Sequence, residues 1–166
     1  FVGPSMGLFK VNVLNGRVKR VAKGDLSTVG WFTDREGKPV LKYTRRRMQR
    51  DSTLWARDPS STSKIKWRKL RTVRQRGPLD PGNGAIFRAL APGPESSTYY
   101  VLGRLQNSDY TELYLYDFVA DKIIETVASQ PGHDITGARF RRDTGEVFST
   151  SYFDKTKVIR MSDPGT

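Results

Sequence analysis

Histidine and cysteine, the side chains most often used as a nucleophile, base or metal ligand, are scarce in this 166-residue chain. One histidine, His133, and no cysteine are present, so a thiolate nucleophile, a disulfide and a cysteine-bound metal are excluded. Zinc would need several carboxylates or waters beside His133, and a serine triad would need an activated serine and a buried aspartate. Residues 131–135 are typical of a loop between strands. We therefore predict a structural hydrogen bond for His133, and no metal or cofactor.

Four carboxylates lie in the region where general acid–base chemistry would have to arise. They are Asp109, Glu112, Asp117 and Asp121. A glycosidase places one pair of carboxylates across the scissile bond, but the alternation here spreads the four over a hairpin and its turns. The glycine- and proline-rich stretch 77–84 also lacks the lysine and the following helix of a phosphate-binding loop. The sequence therefore predicts no catalytic residue in this chain.

Positive charge is concentrated in residues 38–76. This segment has fourteen lysines and arginines against two acids, which gives +12, the net charge of the whole chain. Its candidate binding residues are Arg45, Arg46, Arg47, Arg50, Lys64, Lys66, Arg68, Lys69, Arg71, Arg74 and Arg76. Trp55 and Trp67 lie among them and offer flat surfaces on which nucleic-acid bases stack.

The arrangement of these cations along a strand leaves several interpretations open. Strict alternation splits them between two faces and puts Lys69 and Arg71 beside Trp67, so neither face is wholly basic. We interpret the segment first as a solvated sheet edge whose cations block edge-to-edge aggregation. An acidic protein partner, such as a catalytic domain outside this chain, is the second interpretation, and nucleic acid is the third.

Short runs in which apolar and polar residues alternate, separated by turns, predict an all-β chain of antiparallel strands. Residues 8–21 alternate on both sides of Asn15-Gly16, a dipeptide typical of a type I′ hairpin turn. Strands at 28–32 and 39–43 are expected to complete a four-stranded sheet with this hairpin. A further hairpin is predicted for 52–58 and 65–70, with Trp55 and Trp67 on its apolar face.

A weak internal repeat suggests how the strands are grouped. The pattern Leu8-Phe9-x-Val11 matches Leu113-Tyr114-x-Tyr116, and the turn at 35–37 matches that at 143–145 at nearly the same offset. Residues 86–127 form one four-stranded unit of about forty residues, the size of a propeller blade. We predict a partial β-propeller of antiparallel four-stranded blades; a β-sandwich built of meanders is the alternative. The predicted organisation is blade-like structure with the basic hairpin in 1–76, a linker at 77–84 and two further blade-like units in 85–166.

Targeting signals are weak in this sequence. No apolar run approaches the roughly 20 residues that cross a bilayer, so we expect no membrane contact. The first five residues lack an initiator methionine and a signal-peptide pattern, which suggests that a leader was removed or that the sequence begins within a protein. The composition assigns no compartment.

Several motifs together resemble a known enzyme family. They are Gly7-Leu8-Phe9-Lys10-Val11-Asn12-Val13 with Asn15-Gly16, Thr28-Val29-Gly30-Trp31, Asp34-Arg35-Glu36-Gly37, Trp67-Arg68-Lys69-Leu70 and Glu112-Leu113-Tyr114-Leu115-Tyr116-Asp117. Their order is similar to that in the N-terminal β-propeller of bacterial prolyl-oligopeptidase-family serine peptidases. The resemblance covers most of the chain.

The resemblance implies a non-catalytic propeller segment that acts as a scaffold and as a gate for peptide substrates. In that family the chemistry belongs to an α/β-hydrolase domain, whose nucleophile occupies a strained turn between a strand and a helix. No such domain is expected in this sequence, so the catalytic domain would be a partner outside it, and the parent protein would be the hydrolase. Open blade edges also predict self-association. The alternative function is a basic β-rich module that binds nucleic acid or another polyanion.

Overall fold

The computed structural model describes residues 6–45, 51–58, 66–74 and 87–162. These residues form thirteen strands and no helix, and every strand pair is antiparallel, which confirms the predicted all-β antiparallel class. Within the same ranges no helix is long and apolar enough to cross a membrane. The chain divides into two compact units, Phe1–Gly84 and Ala85–Thr166. The predicted linker at 77–84 lies outside the described residues.

The first unit contains two sheets in its described part. Strands β1 (Leu8–Val11) and β2 (Val18–Ala22) form a hairpin by themselves. The second sheet has four strands in chain order: β3 (Thr28–Thr33), β4 (Pro39–Arg45), β5 (Asp51–Arg57) and β6 (Trp67–Arg74). The prediction that β1 to β4 share one sheet is therefore wrong.

The segment between β2 and β3 explains why the two sheets separate. Gly24 lies so close to the backbone of Met6 that an added Cβ would be 2.1 Å from the Met6 carbonyl oxygen. A turn follows at once, in which the Thr28 N–H donates to the Asp25 carbonyl over 3.1 Å. This turn redirects the chain, so that β3 begins a new sheet and does not extend the hairpin.

The second unit also contains two sheets among its described residues. A four-stranded meander comprises β7 (Phe87–Pro92), β8 (Thr98–Gly103), β9 (Glu112–Asp117) and β10 (Lys122–Ala128). A three-stranded meander comprises β11 (Ile135–Phe140), β12 (Val147–Phe153) and β13 (Lys157–Met161). The four-stranded unit predicted for residues 86–127 is thus confirmed.

Two hairpin turns, those between β1 and β2 and between β11 and β12, each contain one glycine with positive φ. Gly16 has a φ of 67°, whereas Asn15 does not have a positive φ, so the predicted type I′ turn is wrong. A four-residue loop replaces it, closed by the Gly16 N–H on the Asn12 carbonyl over 2.8 Å. Gly145 repeats this geometry: its φ is 71°, and its N–H donates a hydrogen bond to the Arg141 carbonyl. Glycine is suited to this position because it adopts positive φ without steric cost.

The core of the second unit lies between its two sheets. Its buried members come from β8, β9, β11 and β12: Tyr100, Leu102, Leu113, Leu115, Ile135 and Tyr152. The opposite face of β8 and β9 is also buried, since Val101 and Tyr114 are fully inaccessible to solvent. The central strands β8 and β9 are therefore buried on both faces.

Candidate binding face on the β3 to β6 sheet

The cations predicted to bind a partner are only partly described. Outside the described residues lie Arg46, Arg47, Arg50, Lys64 and Arg76, and Arg74 is the last residue of β6. The remaining predicted cations are Arg45, Lys66, Arg68, Lys69 and Arg71. Lys66 precedes β6 and is exposed, and its carbonyl accepts the Asp58 N–H over 2.9 Å.

The described cations of the sheet are divided between its two faces. Side chains directly opposite one another on antiparallel strands project from the same face. Arg68 is opposite Ala56, and Arg71 is opposite Leu54, both fully buried residues. Arg45 is opposite the buried Ser52 on that same face. Lys69 is instead opposite Trp55 on the other face.

A bulge in β6 changes the predicted alternation. The register pairs Trp55 with Lys69 and Leu54 with Arg71, so Leu70 is skipped. Such an extra residue reverses the facing of every residue that follows it. Arg71 therefore shares a face with Arg68, and the expectation that it lies beside Trp67 and Lys69 is wrong.

Tryptophan and lysine alternate across the sheet on the second face. The register places Trp31, Lys42, Trp55 and Lys69 opposite one another on β3, β4, β5 and β6 in turn. Leu41, Leu54 and Ala56 project to the first face, and they are the residues that are fully buried. The prediction that Trp55 and Trp67 occupy the apolar face is therefore wrong, since they lie on the opposite, half-buried face.

Three indole rings surround the Lys42 ammonium. Its Nζ lies 5.9 Å from the Trp31 ring centroid, 5.9 Å from that of Trp55 and 5.1 Å from that of Trp67. Trp31 and Trp67 also contact each other, with ring centroids 5.6 Å apart. A cation at these distances is attracted by the negative faces of the rings. This interaction holds Lys42 in the centre of the tryptophan face.

Hydrogen bonds fix the orientation of two of the rings. The Trp55 indole N–H donates to the Thr44 hydroxyl over 2.7 Å, and the Trp31 indole N–H donates to the Met6 carbonyl over 3.0 Å. Thr44 belongs to a second row across the sheet, which consists of Thr28, Thr44, Thr53 and Thr72. The tryptophan row is thus flanked by a row of hydroxyl groups.

Asp25 forms one edge of this face. The Ser27 hydroxyl donates to its carboxylate over 2.5 Å, and the Ser27 N–H donates over 2.9 Å. The Ser27 hydroxyl is the main reason that the pKa of Asp25 lies below its usual value, and Thr28 and Lys42 lower it further against a partial desolvation. Asp25 is therefore a carboxylate at neutral pH, and its ion pair with Lys42 spans 4.0 Å.

A cavity of about 690 Å³ opens on this face. Its walls contain two indoles, two ammonium groups, two carboxylates and four hydroxyl groups, from Trp55, Trp67, Lys42, Lys69, Asp25, Asp51, Ser27, Thr44, Thr53 and Thr72. Binding sites for small molecules commonly have this order of volume and this mixture of flat and polar groups. The face is therefore the best candidate binding site in the described part of the chain.

Two members of this face were not singled out by the sequence. Trp31 and Lys42 lie on β3 and β4, whereas the predicted binding residues on this face come from the basic hairpin of β5 and β6. Period-two alternation within residues 28–33 and 39–43 was the available signal, but it does not reveal which strands are neighbours.

His133 and three of the four candidate acid–base carboxylates make structural bonds. The Nδ1 of His133 lies 3.0 Å from the Phe153 carbonyl oxygen, which confirms the predicted structural hydrogen bond and requires the proton on Nδ1. Asp117 accepts the N–H groups of Val119 and Ala120. Glu112 and Asp121 accept the hydroxyls of Tyr114 and Tyr116. In the described ranges no group of three or more metal-binding side chains occurs.

Asp134 joins two segments of the second unit. Arg104 donates to both of its oxygens, over 3.2 and 3.0 Å, and the Thr111 N–H donates over 2.6 Å. Partial burial acts to raise the pKa of Asp134, but the Thr111 and Arg104 donors outweigh it and hold that pKa below its usual value. Asp134 thus links the start of β11 to the loop between β8 and β9.

Asp134→Asn is expected to lower the free energy of unfolding by about 1–2 kcal/mol at pH 7, because hydrogen bonds to a charged group are lost and partial exposure weakens them. A carboxylate whose pKa is lower in the folded state than in the unfolded state stabilises the folded state at pH values above the unfolded-state pKa. That stabilisation is lost as the pH falls through the folded-state pKa. The difference between wild type and variant should therefore shrink near pH 3, measured by urea denaturation. Asp154→Asn, in an exposed turn, is the control. An unchanged difference at both pH values would contradict the role of the charge.

Residues 3–7, Gly-Pro-Ser-Met-Gly, match the Gly-x-Ser-x-Gly pattern of a hydrolase nucleophile turn. In that turn the serine stands between a strand and a helix. Ser5 lies outside the described residues, but the chain that follows enters β1, which pairs with β2. A strand therefore occupies the place of the required helix, and we do not assign a nucleophile here.

No known protein-family pattern matches this chain, and a search of curated proteins finds no significant relative. The resemblance to prolyl-oligopeptidase-family propellers therefore rests on the sequence motifs alone. The geometry of the sheets and of the tryptophan face is the remaining basis for assigning a function.

Proposed function

We propose that this chain supplies blades of a β-propeller in a prolyl-oligopeptidase-like serine peptidase, where it is a non-catalytic scaffold and a gate for peptide substrates. The observation that carries the proposal is the repetition of one sheet type. The meanders β3–β6 and β7–β10 are successive four-stranded antiparallel sheets in chain order, and β11–β13 begin another in the same way. A propeller blade is a four-stranded meander of this kind.

Burial on both faces of the central strands β8 and β9 supports a propeller over a two-sheet sandwich. Tyr100 and Leu102 project to the face that packs on β11–β13, and they are 8% and 1% exposed. Val101 and Tyr114 project to the other face and are inaccessible to solvent. A sheet of a sandwich has one face in water, whereas a blade is covered on both faces by its neighbours.

An apolar surface on β12 and β13 supports the presence of a further blade. Phe153, Ile159 and Met161 are 59%, 48% and 68% exposed, and they accompany small residues such as Ser151 on the same face. Apolar side chains gathered on one sheet face are typical of a contact surface. We propose that another blade covers this face in the whole protein, and that isolated chains associate through it.

The catalytic partner in this proposal is an α/β-hydrolase domain. Among the described residues the single histidine and three of the four candidate carboxylates, Glu112, Asp117 and Asp121, are engaged in bonds that hold turns and strands. A serine nucleophile needs a base within hydrogen-bond reach and a third group that orients the base. Acyl transfer is therefore assigned to that domain, and selection of peptides to the propeller.

A fluorophosphonate probe tests this division of labour, because it reacts with activated serines. In the protein encoded by the whole gene, we expect labelling of a serine in a Gly-x-Ser-x-Gly turn downstream of Thr166. The isolated 166-residue chain should remain unlabelled and should give the same result as its Ser5→Ala variant. Labelling of the isolated chain that Ser5→Ala abolishes, or a gene without such a downstream turn, would overturn the proposal.

A further inference from the structure

The tryptophan face has a chemistry that the scaffold role does not use. The face carries Trp31, Trp55 and Trp67 with Lys42 among them, and the cavity beside it exposes hydroxyl, ammonium and carboxylate groups. Hydroxyls both donate and accept hydrogen bonds, ammonium groups only donate, and carboxylates only accept. A ligand for this cavity needs many groups that both donate and accept, together with a flat apolar surface.

Charge balance argues against a polyanion as this ligand. Lys42 and Lys69 are the cations of the cavity, and Asp25 and Asp51 are its acids, so the wall is electrically neutral. The bonds to Asp25 that lower its pKa keep it ionised, so it repels a phosphate. A phosphate-binding groove instead follows the backbone with positive charge. Of the described cations of the basic segment, Arg45, Arg68 and Arg71 lie on the opposite face of the sheet, whereas Arg57 lies opposite Trp67 on the tryptophan face but does not line the cavity.

The indoles provide the flat apolar surface in a fixed orientation. The hydrogen bond from Trp55 to Thr44 holds one ring that lines the cavity, and Trp67 is packed against Trp31. The negative face of an aromatic ring attracts polarised C–H groups, such as those on one side of a pyranose ring. Ordering these rings beforehand reduces the entropy that binding would otherwise cost.

Hydrogen-bonding capacity remains on Lys42. Its distance to Asp25 is 4.0 Å, which exceeds a hydrogen bond, although its side chain is only 12% exposed. Lys69 lines the same cavity and is exposed. In the described part of the chain these two ammonium groups are therefore placed to donate to a ligand hydroxyl.

We propose that this cavity binds a neutral oligosaccharide, with a pyranose ring on Trp55 and Trp67 and its hydroxyls on Lys42, Lys69, Asp25 and Asp51. The volume of about 690 Å³ is within the range of small-molecule sites. The open face of the four-stranded β3–β6 sheet suits an extended chain of sugar rings. This inference is independent of the peptidase proposal, because it requires only the β3–β6 sheet.

Intrinsic fluorescence provides a direct test, because all three tryptophans of the chain lie on this face. The 166-residue chain is titrated with cellopentaose, maltopentaose, xylopentaose and chitopentaose. We expect at least one to change the emission with a Kd of about 1 mM or tighter, since an open site gains modest energy per ligand atom. Raising NaCl from about 50 to 500 mM should leave that Kd unchanged, because the ligand releases no counterions.

Matched variants locate the site. Lys69→Met is expected to weaken binding about tenfold, since it removes a charged hydrogen-bond donor, whereas Lys66→Met, outside the cavity, should bind as wild type does. Trp55→Ala should abolish binding, and Trp55→Phe should retain part of it because a flat ring remains. Far-UV circular dichroism verifies that each variant is folded. If Trp55→Ala does not fold, the comparison of the two lysine variants decides.

Other outcomes would overturn the inference. One is an unchanged emission with every sugar at about 10 mM, ten times the weakest expected Kd. Another is equal loss of binding in Lys66→Met and Lys69→Met. Binding of oligo(dT) alone, with a steep loss of affinity as salt rises, would identify a nucleic-acid face instead. None of these results bears on the fluorophosphonate experiment, so the two proposals fail separately.

Discussion

Replacing Leu113 with alanine is expected to lower the free energy of unfolding by about 3 kcal/mol. Leu113 is fully buried on β9 at the centre of the core between the two sheets of the second unit. Its neighbours Leu102 and Ile135 belong to strands held by backbone hydrogen bonds, so they close the resulting space only partly. The cost therefore includes both lost burial and a residual cavity.

Urea denaturation followed by far-UV circular dichroism measures this loss. Ile124→Ala removes apolar carbons from the neighbouring strand β10 at a position that is 49% exposed, and it serves as the matched control. We expect the control to lose less than about 1 kcal/mol, because its side chain is already partly in water. A Leu113→Ala loss no greater than that of the control would contradict the position of the core.

The strands of this chain could be predicted because alternation is a local signal. Residues 112–118 alternate between apolar and polar or aromatic side chains, and β9 occupies 112–117 of them. Neighbouring side chains of β9 point to opposite faces of the sheet, and both faces are buried, so its apolar and aromatic run predicts the strand although its burial does not alternate. Hairpins between neighbouring strands follow from the same pattern, as at residues 135–152.

Strand register was less accessible from the sequence. The bulge at Leu70 depends on how β6 pairs with β5, and no residue within β6 marks it. The turn at Asn15-Gly16 fits both a two-residue and a four-residue loop, and the longer loop satisfies the Asn12 backbone and side chain together. Such choices are made by the pairing of strands, which local propensities do not encode.

Only part of the candidate site could be predicted, because the sequence does not reveal which strands are neighbours. Trp55 and Trp67 were identified by their position in a basic segment, and the structure places both beside one cavity. Trp31 and Lys42 join them because β3 and β4 are their neighbours in the sheet. The positive charge suggested a polyanion as one interpretation, and alternation divided the cations between two faces, but the bulge that moves Arg71 to the face of Arg68 could not be predicted from that alternation.

Ionisation of Tyr114 is expected to lower the free energy of unfolding of the second unit in alkaline solution. Its side chain is fully buried, and its hydroxyl donates to the Glu112 carboxylate and lies 3.2 Å from the Leu105 carbonyl oxygen. Burial raises the pKa of Tyr114 to about 12, and the negative charge of Glu112 contributes to the rise. Ionised tyrosine would have no favourable partner beside this carboxylate, so the folded state retains the proton.

The sign of the pH effect follows from this raised pKa. The stabilisation is complete below the unfolded-state value near 10, and it is lost as pH rises toward the folded-state value of about 12. Between pH 9 and 11 the free energy of unfolding of the wild type should fall by about 1.4 kcal/mol more than that of Tyr114→Phe, which cannot ionise at this position. Urea denaturation at a series of pH values measures the difference.

Two further measurements make the alkaline test specific. The absorbance change at about 295 nm, taken as wild type minus Tyr114→Phe, should reach its midpoint near pH 12, where a free tyrosine would ionise near 10. Tyr110→Phe removes a hydroxyl from a side chain that is 41% exposed, and at pH 9 its free energy of unfolding should stay within about 0.5 kcal/mol of wild type. Parallel stability curves for wild type and Tyr114→Phe from pH 9 to 11 would show that Tyr114 ionises equally in both states. The buried pair with Glu112 would then be wrong, and with it the packing of β9 that places both side chains.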